Sequence, residues 1–163
     1  MSIGPERLSI DRVVIFLHPP PNRIIVEGKL FAKAIKSAVA MCKASEMAGN
    51  ISVTVDVRYT HDNKPVVIVI YDSKKDNMTH IKTFWKTLRA AGVTPESLCF
   101  EAIMKKWLQG STGEDNYFIN YSDGAPWFST DDRSNSVYYA GDRAIDHARK
   151  MVKMMKNNGL KIM

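Results

Sequence analysis

Residues 13–17, VVIFL, form a short apolar run of the kind that makes a buried strand. It stops at His18 and three consecutive prolines, Pro19, Pro20 and Pro21, which a helix does not tolerate. From Gly28 the period changes. Leu30, Phe31, Ala34, Ile35, Ala38, Val39, Met41 and Cys42 share one helical face, and Gly49-Asn50 ends the pattern. Over 51–59 the apolar residues Ile51, Val53, Val55 and Val57 alternate with Ser52, Thr54, Asp56 and Arg58, the period of a strand with one face covered, placed near a sheet edge. His61-Asp62-Asn63-Lys64 supplies turn chemistry, and 66–71 is a second, more uniformly apolar strand, so the two read as an antiparallel hairpin.

Asp76-Asn77 caps a helix that runs through Ile81, Phe84, Trp85 and Leu88 to Ala91-Gly92. Thr94-Pro95-Glu96 opens another, with proline in the first turn and Leu98, Ile103, Met104 and Trp107 as its apolar residues. After a loop over 110–115, residues 117–121 form a buried strand that ends in Ser122-Asp123-Gly124-Ala125-Pro126. A polar loop leads to a helix over 141–158 carrying Ile145, Ala148, Val152 and Met155, stopped by Asn157-Asn158-Gly159, and 160–163 begins one more strand. The alternation predicts one α/β domain over 1–163: a doubly wound, mostly parallel, Rossmann-like sheet with an antiparallel edge hairpin strand and helices on both faces. Ligands are expected at the carboxyl ends of the strands.

Composition narrows the classes. With 163 residues, 45% hydrophobic and 25% charged, the chain has the make-up of a single soluble globular domain. No apolar run approaches the ~20 residues of a bilayer span, and the start MSIGPERLSIDR lacks the apolar stretch of a signal peptide, so a cytoplasmic protein is expected. Cys42 and Cys99, the two cysteines, sit in apolar helical patterns without zinc spacing and read as reduced core residues. A net charge of +6 favours acidic partners, nucleic acid included. The Lys and Arg residues are spread along the chain, which solvated helix faces also explain.

The polar residues at strand ends and helix starts carry a more specific signal. A strand closing in Ser122-Asp123-Gly124-Ala125-Pro126, a helix started by Thr94-Pro95, an earlier helix and hairpin, and Tyr139-x-Gly141 leading into Ala144, His147 and Arg149-Lys150 stand in a fixed order. Over 28–163 the chain resembles the von Willebrand factor A domain, most closely the branch at the C-terminus of the cobaltochelatase large subunit and its bacterial and phage relatives; residues 1–27 diverge. In that family a divalent cation, usually magnesium, sits on the sheet in a metal-ion-dependent adhesion site. Its ligands come from an Asp-x-Ser-x-Ser loop, a Thr and an Asp. Thr94 and Asp123 match the last two. The first loop aligns with Pro21, Arg23 and Ile25, which offer no side-chain oxygen, and Asn22 is the one neutral oxygen donor there. Magnesium takes six hard oxygens, so the resemblance implies an incomplete site that binds the ion weakly or not at all. Arg23 beside Asp123 would substitute for the cation by pairing with the carboxylate.

Each of these residues also has a plain structural reading. Thr94 before Pro95 is a routine helix cap, and Asp123-Gly124 a common turn pair. Trp127 and Phe128 make a protein-binding hot spot or fold back over the sheet edge. His18, His61, His80 and His147 show no spacing of a metal site or triad. The resemblance implies a protein-interaction and scaffolding module, often beside a hexameric AAA+ ATPase, that contacts its partner through Asn22, Arg23, Ser122, Trp127 and Phe128. In that family the sheet continues with further strands, so the resemblance also implies a fragment or an edge completed by another chain, as in a homodimer. Nucleic-acid binding is the alternative. No Gly-rich phosphate loop, nucleophile elbow or acid/base carboxylate pair is present, so no enzyme is expected.

Overall fold

Six consecutive residues, 53–58, are buried although three of them are polar, which places their strand inside a sheet covered on both faces. The computed structural model describes residues 12–17, 25–62, 64–80, 95–108, 115–122, 126–129 and 138–163. Its strands are β1 (Arg12–Leu17), β2 (Val53–His61), β3 (Lys64–Asp72), β4 (Asn116–Tyr121), β5 (Phe128–Ser129), β6 (Tyr138–Tyr139) and β7 (Leu160–Ile162). Its long helices are α1 (Ile25–Ala48), α2 (Glu96–Leu108) and α3 (Gly141–Asn157). A further helical turn starts at 78–80, where the side chain of Asn77 accepts from the backbone N–H of Thr79 at 3.0 Å, as a helix cap does.

The main sheet has the order β3-β2-β1-β4-β7. β1 pairs in parallel with β2 and β4, β4 in parallel with β7, and β2 antiparallel with β3. Two expectations are corrected here. The strand over 51–59 was expected near an edge, yet β2 lies between β3 and β1; its Thr54, Asp56 and Arg58 are buried instead of facing water. The doubly wound, mostly parallel sheet is also replaced by a mixed arrangement of two small sheets. The longest registered pairing, β2 with β3, is antiparallel, and β5 and β6 form a separate antiparallel ribbon where a polar loop was expected. The physical reasons are local. Asp62 turns the chain back at φ 47°, too tightly for a parallel return, and Phe128 opposite Tyr139 supplies an aromatic cross-strand pair.

Hydrophobic cores lie on opposite faces of the main sheet, as strand alternation and the register through β1 require. On one face Ala34, Ile35, Ala38 and Cys42 of α1 pack on Val53, Val55, Val57, Ile70 and Tyr71. On the other, Cys99, Phe100, Ile103, Met104 and Trp107 of α2 meet Met151 and Met155 of α3 over Phe118 and Leu160. Phe100 and Phe118 stack edge to face at 5.3 Å between ring centroids. A smaller cluster of Phe128, Tyr139 and Ala144, with Leu98 against it, fastens the ribbon to the starts of α2 and α3.

Candidate functional site

The carboxyl ends of β2 and β4 bring together three polar side chains from distant parts of the chain. Arg58 leaves β2 with no exposed surface, so its charge must be met inside the protein. Its Nη2 donates to Glu96 Oε1 at 3.0 Å, and its Nη1 donates to Asn120 Oδ1 at 2.8 Å. The Asn120 amide then donates to the same Glu96 oxygen at 2.7 Å, closing a triangle between β2, β4 and the first turn of α2. The Phe100 ring lies 5.9 Å from the guanidinium carbon. Burial pushes the neighbouring Cys99 thiol up to about 12, with the Arg58 charge opposing that shift and the Glu96 charge adding to it.

A second chain of hydrogen bonds starts one residue further along α2. Ser97 bonds to the Tyr139 hydroxyl; that hydroxyl lies 2.8 Å from His147 Nδ1, and His147 Nε2 lies 3.1 Å from Glu101 Oε1. With the carboxylate as acceptor, Nε2 of a neutral imidazole carries the proton, Nδ1 accepts from Tyr139, and Tyr139 accepts from Ser97. Burial first, then the charges of Glu101 and Glu96, raise the Tyr139 phenol to about 12. The order Ser-Tyr-His-Glu looks like a proton relay, but Ser97 has no exposed surface and offers no nucleophile to a substrate. Its role is to tie α2, β6 and α3 together.

Of the residues singled out in the sequence, Asn22, Arg23, Thr94 and Asp123 lie outside the described residues. Ser122 is exposed just beyond β4. Trp127 and Phe128 separate: Trp127 is 44% exposed, whereas Phe128 is buried in the ribbon cluster. Phe128 packs with Tyr139 and Ala144, next in sequence to the exposed indole.

The expected Arg23–Asp123 pair lies outside the described residues; within them, Arg58 forms a buried carboxylate pair that the sequence did not single out. Arg58 was missed because alternation assigned it to the wet face of its strand. A Glu two residues after Thr94 and an Asn three before Asp123 were the available signals. Glu96 is paired with the Arg58 guanidinium, and among the described residues no three His, Cys, Asp or Glu side chains are grouped as metal ligands.

Over 94% of its length the chain is similar in structure to part of the pilus adhesin SpaC from Lactobacillus rhamnosus GG in its open conformation, at 9% sequence identity and a TM-score of 0.62. A second structure of the same adhesin gives 10% identity and a TM-score of 0.60 over 94% of the chain. The chain spans only about a quarter of that adhesin, 23% and 24% of the two structures. At this identity the likeness is one of fold. No family model and no curated protein matches the sequence. Among the described residues no helix is long and apolar enough to cross a membrane.

Proposed function

We propose that the chain is a non-catalytic protein-interaction module of the von Willebrand A kind that docks a protein partner at the carboxyl end of its parallel strands, without using a metal ion. The observation that carries the reading is Trp127, a large aromatic held 44% exposed between buried Pro126 and Phe128. A rigid, exposed indole loses little conformational entropy on binding and is the side chain most enriched at interface hot spots. At the carboxyl ends of β2 and β4, Arg58, Glu96 and Asn120 bind one another, so the triangle presents no reactive group. The fold shared with part of an adhesin supports the same reading.

The test is affinity capture from cells that express the chain, run with EDTA or with magnesium, using the wild type and Trp127→Ala. A specific protein held equally in both buffers and lost with Trp127→Ala is the expected result. Capture that requires magnesium, or that ignores Trp127, overturns the reading. One observation favours a second reading: Arg149, Lys150, Lys153 and Lys156 all lie exposed on α3. Nucleic-acid binding through that helix predicts a duplex affinity that falls steeply with salt, and is measured by fluorescence anisotropy between low and physiological ionic strength.

A further inference from the structure

Asn158 is the one asparagine of the chain that is followed by glycine. Asparagine is chemically labile, and a glycine after it leaves the next backbone nitrogen unshielded by any side chain. In a flexible chain that nitrogen attacks the asparagine side-chain amide. Here the pair closes α3, and each reacting group is held by a different carbonyl of the last turn. The Asn158 side-chain Nδ2 donates to the Met154 carbonyl at 2.8 Å, and the Gly159 N–H donates to the Lys156 carbonyl at 3.0 Å. The Asn158 backbone N–H is itself shared between the carbonyls of Met154 and Met155, at 3.1 Å from each. With ψ 16° at Asn158 the Gly159 nitrogen is nearly eclipsed with the Asn158 nitrogen and so is turned away from Cβ, whereas ring closure needs it eclipsed with Cβ. Both residues are exposed, and nothing stands within 4 Å of a Cβ added at Gly159, so water reaches the junction.

We infer that Asn158-Gly159 is a self-modification site whose reaction is held off by the cap of α3 and released when the last turn of α3 opens. On release, the Gly159 nitrogen attacks Asn158 Cγ. The N–Cγ bond forms, the Cγ–Nδ2 bond breaks, and the side-chain nitrogen leaves as ammonia, taking up the proton that the Gly159 N–H gives to solvent. Water then opens the cyclic imide at one carbonyl or the other, which leaves aspartate or isoaspartate at position 158. No electron transfer and no co-reactant besides water is involved. The product harms the joint it forms in. Isoaspartate adds a methylene to the main chain between α3 and β7, immediately before Leu160, which is buried in the second core and pairs opposite Asn116 of β4. Either product also places a carboxylate at the negative end of the helix dipole. The inference does not depend on the Trp127 reading, and its test leaves that face untouched.

The test is incubation of the full chain in mildly alkaline buffer, folded or unfolded in guanidinium chloride, with peptide mass spectrometry and isoaspartate detection at position 158 over time. Conversion at Asn158 is expected in both samples, about tenfold or more slower in the folded one, because the helix end must open first. Leu160→Ala loosens the anchor of β7 and is expected to raise the folded rate towards the unfolded one, in protein whose far-UV circular dichroism shows it still folded. Gly159→Ala shields the nitrogen and is expected to slow the unfolded chain. No conversion at Asn158 in the unfolded chain, equal rates folded and unfolded, or a folded rate unmoved by Leu160→Ala overturns the inference.

Discussion

Arg58 is the residue on which the polar interior turns. A guanidinium cannot shed its charge, so its burial rests on Glu96, which is itself almost fully covered. Removing one partner leaves the other charged and dry, which costs roughly 3–5 kcal/mol, a large share of the ~5–15 kcal/mol that holds a typical domain together. Arg58→Met and Glu96→Leu are each expected to lower the denaturant midpoint strongly, and the double variant to recover much of the loss, since two apolar groups of similar volume leave no stranded charge. A double variant as unstable as the sum of the singles would show that the pair does not act as a unit. This triangle was half legible in the sequence. The carboxylate and the amide stood within three residues of Thr94 and Asp123, but the place of the guanidinium could not be read from alternation alone, because both strand faces are covered.

Buried protons make a second prediction at the same scale. Cys42 is raised from 9.0 to about 12, by burial first and the Glu46 charge second, and Tyr71 from 10.0 to about 12, again by burial first. The Tyr71 hydroxyl is buried with no hydrogen-bond partner among the described residues. As pH rises, the unfolded chain loses these protons near 9 to 10 while the folded chain keeps them. The folded state then binds more protons, and stability falls with pH. The contribution is complete below about pH 9 and is lost progressively towards 12, with Cys99 and Tyr139 acting in the same direction. Unfolding midpoints measured from pH 7 to 11 are expected to hold and then drop. Thiol reagents at neutral pH are expected to label Cys42 and Cys99 only after unfolding.

Among the elements, α3 shows what sequence patterning reads well and what it does not. Its amphipathic period and its stop at Asn157-Asn158-Gly159 were legible. Gly159 adopts φ 87° and its N–H bonds to the Lys156 carbonyl at 3.0 Å, the turn that glycine favours after a helix. Nothing stands within 4 Å of a Cβ added there, so Gly159→Ala costs the backbone strain alone, about 1–2 kcal/mol. At the other end, Ala140 occupies the cap position in extended geometry with no side-chain bond to the helix. Ala140→Ser is expected to stabilise the protein by about 0.5–2 kcal/mol, visible as a higher thermal midpoint. The ribbon of β5 and β6 escaped the sequence because two-residue strands have no period to detect, and because Phe128 and Tyr139, which hold it, are eleven residues apart with a polar stretch between them. β3 shows the reverse case. Its existence was plain, but its position at the edge could not be separated from that of β2, whose polar residues had been taken for an exposed face.

At the scale of the whole molecule the sheet is a shared wall, and the described residues form a separate core on each of its faces. α1 closes one against β2 and β3; α2 and α3 close the other against β4 and β7. Ile35→Ala on the first face and Met155→Ala on the second each remove a well-buried side chain, and each is expected to cost roughly 2–5 kcal/mol. Separate cavities with no common neighbour should add, so the double variant is expected within about 0.5 kcal/mol of the sum. The strands still couple the two faces in the all-or-none sense. β2 presents Val53, Val55 and Val57 to one core and Arg58 to the side of the other, so neither layer keeps its backing once the sheet opens. In a Trp85→Phe, Trp127→Phe variant, unfolding followed by the fluorescence of Trp107 in the second core should therefore coincide with unfolding followed by the reactivity of Cys42 in the first. Two separated transitions would mean that the helices on each face unfold as independent units, and that the buried Arg58 triangle does not bind the layers into one.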